Sequence, residues 1–148
     1  MNIILIAALS ADGFIARREH DRLEWTQDKA LFRQQTMGCP VILGSTTAGL
    51  LKNELTGRDV IIVHRNDDPE AVLASLNSRR CFIAGGGRTN VKFAPFLTHL
   101  FLTIHPVVFG KGISLFSGSN YQAALEFEKA LDVIPGRGII QYQYRVKG

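Results

Sequence analysis

The run Ile3-Ile4-Leu5-Ile6-Ala7-Ala8-Leu9 constrains this chain more than any other feature. An unbroken apolar stretch cannot alternate between a wet and a dry face, so a strand made of it must be covered on both sides. Such strands lie in the middle of parallel sheets flanked by helices, which places the chain in the α/β class. The run is too short to cross a bilayer and has no basic segment before it. It passes directly into the turn signal Ser10-Ala11-Asp12-Gly13. It therefore reads as a buried first strand, not as a signal peptide or membrane span.

Short apolar runs then alternate with helical stretches. Thr26 is expected to cap a helix over residues 27–37, with Asp28 in its first turn, where a carboxylate suits the helix dipole. Gly38 closes that helix and Pro40 to Leu43 form a second buried strand. Gly44-Ser45-Thr46-Thr47 opens a short helix. Asp59 to Val63 reads as a third strand and Pro69 to Leu76 as a third helix. Cys81 to Ala84 is a fourth strand, followed by Gly85-Gly86-Gly87 and a helix to about Phe96. From His99 the pattern changes. His99 to His105 is a strand, and residues 109–112 are a loop. Ala123 to Val133 and Ile139 to Val146 read as strands, the last alternating as an antiparallel strand does. By composition alone, Ala123 to Leu131 could instead be helical.

The length of 148 residues fits a single domain able to bury a core without disulfides or metals. The net charge of +4 is modest. The basic residues are scattered, apart from Arg17-Arg18 and Arg79-Arg80, whereas nucleic-acid binders gather them on one face. Such a balance suits an enzyme that binds phosphates or carboxylates, so neither nucleic acid nor a membrane is expected as partner. Cys39 and Cys81 form no CxxC pattern, which points to small buried thiols in a reducing, cytoplasmic setting. His20, His99 and His105 lack metal-ligand spacing and read as structural or surface residues; no metal is expected.

Two strand-to-helix turns are built for phosphates. Gly44-Ser45-Thr46-Thr47 and Gly85-Gly86-Gly87-Arg88-Thr89 combine glycines, which let backbone approach an anion, with hydroxyls and helix N-termini. Each alone is also what an ordinary capped turn looks like. Two at the ends of strands in one small α/β chain favour a dinucleotide crevice, although neither is the GxGxxG fingerprint. At a third strand end, His64-Arg65 places a guanidinium where it could pair with a 2′-phosphate. Asp28 lies beside the apolar segment Trp25 to Phe32. A carboxylate near apolar walls can have a raised pKa and relay a proton, with Asp12 and Glu24 as rival carboxylates.

These residues resemble a known family. "IILIAALSADGFIA" (Ile3 to Ala16), "DKALFRQQTMGCPVILGSTT" (Asp28 to Thr47), "LTGRDVIIVHR" (Leu55 to Arg65) and "FIAGGGRTN" (Phe82 to Asn90) are similar to successive segments of dihydrofolate reductases. "THLFLTIHPVVFGKGISLF" (Thr98 to Phe116) resembles the reductase domain of the bifunctional riboflavin-biosynthesis deaminase-reductase, as do "SADGFIA" and "LEWT". The zinc-binding deaminase half has no counterpart here.

The resemblance implies a three-layer α/β domain of the dihydrofolate-reductase type over residues 1–148. Its central sheet would be mostly parallel, with antiparallel C-terminal strands and helices on both faces. It implies NADPH as cofactor, held by Ala8, Gly44, Ser45, Thr46, Thr47, His64, Arg65, Gly85, Gly86, Gly87, Arg88 and Thr89. It places Asp28 as the catalytic carboxylate, with Thr103 as its supporting hydroxyl. Ile6, Phe32, Leu55 and Arg58 would form the substrate side, Arg58 standing where folate enzymes grip the glutamate carboxylate. Leu23 stands where those enzymes carry a loop Trp, and Ser45 where a basic residue helps grip the cofactor. Both departures point away from folate.

Three functions follow. The first is an NADPH-dependent reductase of the riboflavin type, acting on an aminopyrimidine ribosyl phosphate, with Arg17, Arg18, Arg33 and Lys111 as candidates for the phosphate. The second is a dihydrofolate reductase acting on a pterin. The third is a non-catalytic nucleotide-binding relative, against which the glycine triplet and Asp28 argue. The riboflavin branch also implies a homodimer.

Overall fold

A computed structural model describes residues 1–148. Nine strands and four α-helices follow in the order β1 (Asn2–Ser10), β2 (Phe14–Ala16), α1 (Lys29–Thr36), β3 (Pro40–Gly44), α2 (Ser45–Leu50), β4 (Asp59–Val63), α3 (Pro69–Ala74), β5 (Arg80–Ile83), α4 (Gly87–Phe93), β6 (His99–His105), β7 (Ile113–Ser114), β8 (Leu125–Ile134) and β9 (Ile139–Val146). Seven strands form one sheet in the order β4-β3-β5-β1-β6-β9-β8. Strands β4 through β6 run parallel, and β9 and β8 join antiparallel. The α/β architecture is therefore as expected, with a mostly parallel sheet and an antiparallel C-terminal end.

Strand β1 sits between β5 and β6, and Leu5 is fully buried. Its alternate residues feed two different cores. Leu5 joins Ile42, Ile83, Leu73 and Phe93 on the face covered by α3 and α4. Ile4 and Ile6 join Val41, Leu43 and Phe82 on the face where Phe32 of α1 and Ala48 of α2 pack. This explains the unbroken apolar run, since both faces of the strand are dry. Each such side chain contributes about 1.5–3 kcal/mol on burial. Cys39 and Cys81 are free and buried, one in each core, and burial pushes the Cys81 thiol up to about 11. No helix is long and apolar enough to cross a membrane.

Helix boundaries depart from the sequence reading in three places. Helix α1 starts at Lys29, not Gln27, and Thr26 does not cap it. The Thr26 hydroxyl instead donates to Leu23 O at 2.8 Å, closing a turn in which Leu23 takes φ 59°. Asp28 thus occupies the N-cap position, but its side chain accepts no capping hydrogen bond from the helix N–H groups. Helix α3 stops at Ala74, and α4 gives way at Ala94 to a 3₁₀ turn containing Pro95. Residues 125–134 are a strand, which settles the open choice there. The small β2–β7 ribbon was not foreseen, because strands of three and two residues are too short to show a period. It crosses so closely that a Cβ on Gly112 would lie 2.3 Å from Ala16 O.

Candidate functional site

The carboxyl ends of β3 and β5 lie side by side. Gly44 N donates to Gly85 O at 2.9 Å and Ala84 N to Ile42 O at 2.8 Å. This brings the turns Gly44–Thr47 and Gly85–Thr89 against one another, with the Gly85–Gly86 peptide cis. A Cβ on Gly44 would come within 3.1 Å of Thr89 Oγ1, and one on Gly86 within 3.3 Å of Thr47 Oγ1. The hydroxyls of each turn therefore face the bare backbone of the other. Neither α2 nor α4 has a side-chain cap at its start, so nothing within the chain replaces an anion there. The cradle is lined on its far side by the segment after β7. A Cβ on Gly87 would fall 2.0 Å from Ser117 Oγ, so only glycine fits that approach.

One cavity of about 950 Å³ takes in this cradle and Asp28 together. Ile6, Ala8, Asp28 and Phe32 line it, as do all four residues of Gly44–Thr47, His64 and Arg65, and all five of Gly85–Thr89. Three proposed site residues do not. Leu55 is buried in the core. Thr103 lies behind Asp28, fully buried. Arg58 is turned away, donating to Thr36 Oγ1 at 3.3 Å, to Thr56 O at 2.8 Å and to Arg33 O. Its guanidinium binds together the end of α1 and the loop before β4, where it does not face the cavity.

Asp28 is a buried carboxylate of the cavity wall, its side chain 12% exposed. Burial pushes its pKa above the ordinary carboxylate value, opposed by the nearby His105 ring and by the Thr103 hydroxyl. Neither opposing group fully compensates the charge. Thr103 Oγ1 has no hydrogen-bond partner. His105 Nε2 stands 3.8 Å from Asp28 Oδ1 but accepts the Gln27 N–H at 3.0 Å. Its Nδ1 is 3.1 Å from Thr103 O, so in this arrangement Nδ1 is the donor and Nε2 the acceptor. Trp25 packs edge-on against His105 with centroids 5.2 Å apart and screens this group. A carboxylate so placed holds a proton more readily than an exposed one and can pass it on.

His105 carries more of the site than its spacing predicted. No metal pattern or local motif marked it. The parallel pairing of β1 with β6, which matches Ala8 to Thr103 and Ser10 to His105, brings it under Asp28. Asn90, also unforeseen, lines the cavity while its Nδ2 donates to Leu115 O at 2.9 Å. The wall between β2 and α1 is held by a second knot. Asp21, 1% exposed, accepts from Arg17 N, Nε and Nη2 and from Leu23 N. The Arg17 guanidinium keeps the Asp21 carboxyl well below the usual range. Of the four residues considered for a sugar phosphate, only Arg18 lines the cavity. Arg17 is committed to Asp21 and Glu24.

The family model for dihydrofolate reductase matches residues 2–114. The chain belongs to the dihydrofolate reductase family. The matched span runs from β1 through β7 and includes every cavity-lining turn described above except the tail at Ser117 and Gly118. Among solved structures, a dihydrofolate reductase from Enterococcus faecalis complexed with NADP(H) and RAB-propyl superposes with a TM-score of 0.78 at 20% identity, over 99% of this chain and 97% of that one. A putative riboflavin biosynthesis protein from Shewanella sp. PV-4 superposes with a TM-score of 0.71 at 17% identity, over the full length of both. The two neighbours thus share this fold, and the superpositions cover nearly all of this chain, the residues beyond 114 included.

Proposed function

We propose that this dihydrofolate-reductase-family chain is an NADPH-dependent reductase acting on a substrate that carries a pyrimidine- or pterin-type ring. The observation that carries the reading is the single cavity joining the uncapped glycine-hydroxyl cradle to the buried Asp28 carboxyl. The cradle fits a dinucleotide pyrophosphate, since glycine keeps Gly44 and Gly86 open and Thr47 and Thr89 add hydroxyl donors. The Arg65 side chain makes no hydrogen bond or ion pair within the chain and is the guanidinium left for a 2′-phosphate. When bound, NADPH supplies the hydride. Asp28 supplies the rest: it accepts N–H groups of the ring when charged and offers a proton when neutral. Ile6, Ala8 and Phe32 give the ring an apolar wall that excludes water.

For the substrate, the reading that fits best is an aminopyrimidine ribosyl phosphate. Arg18 and Lys29 line the cavity that holds Asp28, whereas Arg58 is tied to three oxygens and is not presented to a folate glutamate. Dihydrofolate is the second reading, favoured by Asp28 on the cavity wall with Thr103 buried behind it. The test begins with titration of NADPH and NADH followed by Trp25 fluorescence. NADPH should bind more tightly, and Arg65→Ala should weaken it about tenfold, the loss of one charge-assisted contact. NADPH oxidation is then followed with each substrate. Absence of binding by either nucleotide would overturn the reductase reading and leave a non-catalytic relative.

A further inference from the structure

We infer that Lys92 is a positioning residue for nucleotide selectivity, setting the place of the Arg65 loop relative to the glycine turn that opens α4. The inference rests on the NADPH reading above. Lys92 Nζ donates to His64 O at 3.1 Å, Arg65 O at 2.8 Å and Asp67 O at 2.6 Å. An ammonium has three donors and no acceptor, so its hydrogen-bonding capacity is spent on these carbonyls. It therefore has none left for a phosphate and acts through the backbone it holds.

The loop it holds begins where β4 ends and carries Arg65. From within, the loop is closed by Asp67 Oδ2, which accepts His64 N at 2.7 Å. From across the crevice, it is fastened to α4 by Lys92 alone among side chains. Three carbonyls crowded together repel one another unless a cation sits among them, so the loop conformation depends on this ammonium. Lys92 also belongs to the helix that starts at Gly87, within the cradle. One side chain thus links the two places where a phosphorylated dinucleotide would be gripped, the pyrophosphate turn and the 2′-phosphate guanidinium. Arg65 itself is exposed and otherwise unanchored, so its reach is determined by where its backbone is held.

The test measures dissociation constants for NADPH and NADH, together with melting temperatures, on wild type, Lys92→Met, Lys92→Arg, Arg65→Ala and the Lys92→Met/Arg65→Ala double variant. Lys92→Met is expected to raise the NADPH constant about tenfold, in line with loss of a charge-assisted contact, and to leave NADH within about twofold. Lys92→Arg should recover most of the affinity, because a guanidinium can donate to the same carbonyls. The double variant should bind NADPH no more weakly than Arg65→Ala alone, since residues acting through one contact are not additive. Equal loss for both nucleotides, or a Lys92→Met effect undiminished in the Arg65→Ala background, would overturn the inference. Wild type that prefers NADPH with no response to Lys92→Met would overturn it while leaving the cofactor reading intact. Wild type that binds neither nucleotide would overturn both.

Discussion

Replacing Asp28 by asparagine should make the protein more stable and less active. Asp28 is a carboxylate whose side chain is 12% exposed, and burial is the largest influence on its titration, raising its pKa. The compensating groups are weak. His105 Nε2 stands 3.8 Å from the carboxylate and already accepts the Gln27 N–H, and Thr103 Oγ1 has no hydrogen-bond partner. A folded-state pKa above the unfolded value of 3.8 means that the folded protein binds this proton more tightly. Stability linked to Asp28 is then greatest at low pH. It falls as pH rises from about 3.8 through the raised folded value and stays reduced above it. The Asp28→Asn amide keeps the shape of the carboxyl without its charge. At pH 7–8 the variant should gain about 1 kcal/mol, the scale typical of relieved functional sites, which is a rise of about 2–4 °C in Tm for a chain of this size. The gain should shrink as pH is lowered towards the unfolded value of 3.8, because the native carboxyl takes up its proton on the way. Differential scanning calorimetry between pH 4 and 8 reads this directly. A variant less stable than wild type at pH 8 would refute the reasoning, because it would show that contacts to the charged form outweigh its desolvation. In the same variant, NADPH-dependent turnover of the ring substrate should fall about a hundredfold, as expected on loss of a proton donor.

Two further outcomes follow from the same geometry. His105→Leu removes the acceptor of the Gln27 N–H and the donor to Thr103 O, leaving buried polar groups unpaired; it should cost about 1–3 kcal/mol in urea unfolding and loosen the segment before α1. Asp21→Asn breaks the ion pair with Arg17, whose side chain is one-third exposed, and should cost about 1–2 kcal/mol at pH 7. Because Arg17 holds the Asp21 carboxyl low, its stabilising contribution is present above the unfolded pKa of 3.8 and is lost as pH falls through the folded value. The difference between wild type and Asp21→Asn, measured by thermal unfolding, should therefore narrow in acid, and a difference that widens there would contradict the assignment.

Much of this molecule is legible from local pattern. Ile3 to Leu9 demanded a strand covered on both faces, and β1 is central with a core on either side. Turn chemistry marked Gly44–Thr47 and Gly85–Thr89, and both line one cavity. These features depend on neighbours within a few residues, where periodicity and backbone freedom act directly. Capping was less secure. Thr26 has the composition of an N-cap, but its hydroxyl closes the Leu23 turn, and the Gln27 N–H is taken by a histidine far along the chain.

What the sequence by itself determined, then, is the alternation of elements, the double burial of the parallel strands and the places where backbone can approach an anion. Only the tertiary structure decided which side chains meet there. Asp28 and His105 come together because β6 pairs with β1 in one register, and a shift of one residue would turn both Thr103 and His105 to the opposite face of the sheet. Arg58 looked like a ligand-binding guanidinium and is instead consumed by oxygens of its own chain, while Lys92, an ordinary helix residue by composition, holds a loop from across the crevice. A long polar side chain takes whichever partners the packed chain presents, and those partners are set by contacts between distant segments that no local spacing encodes.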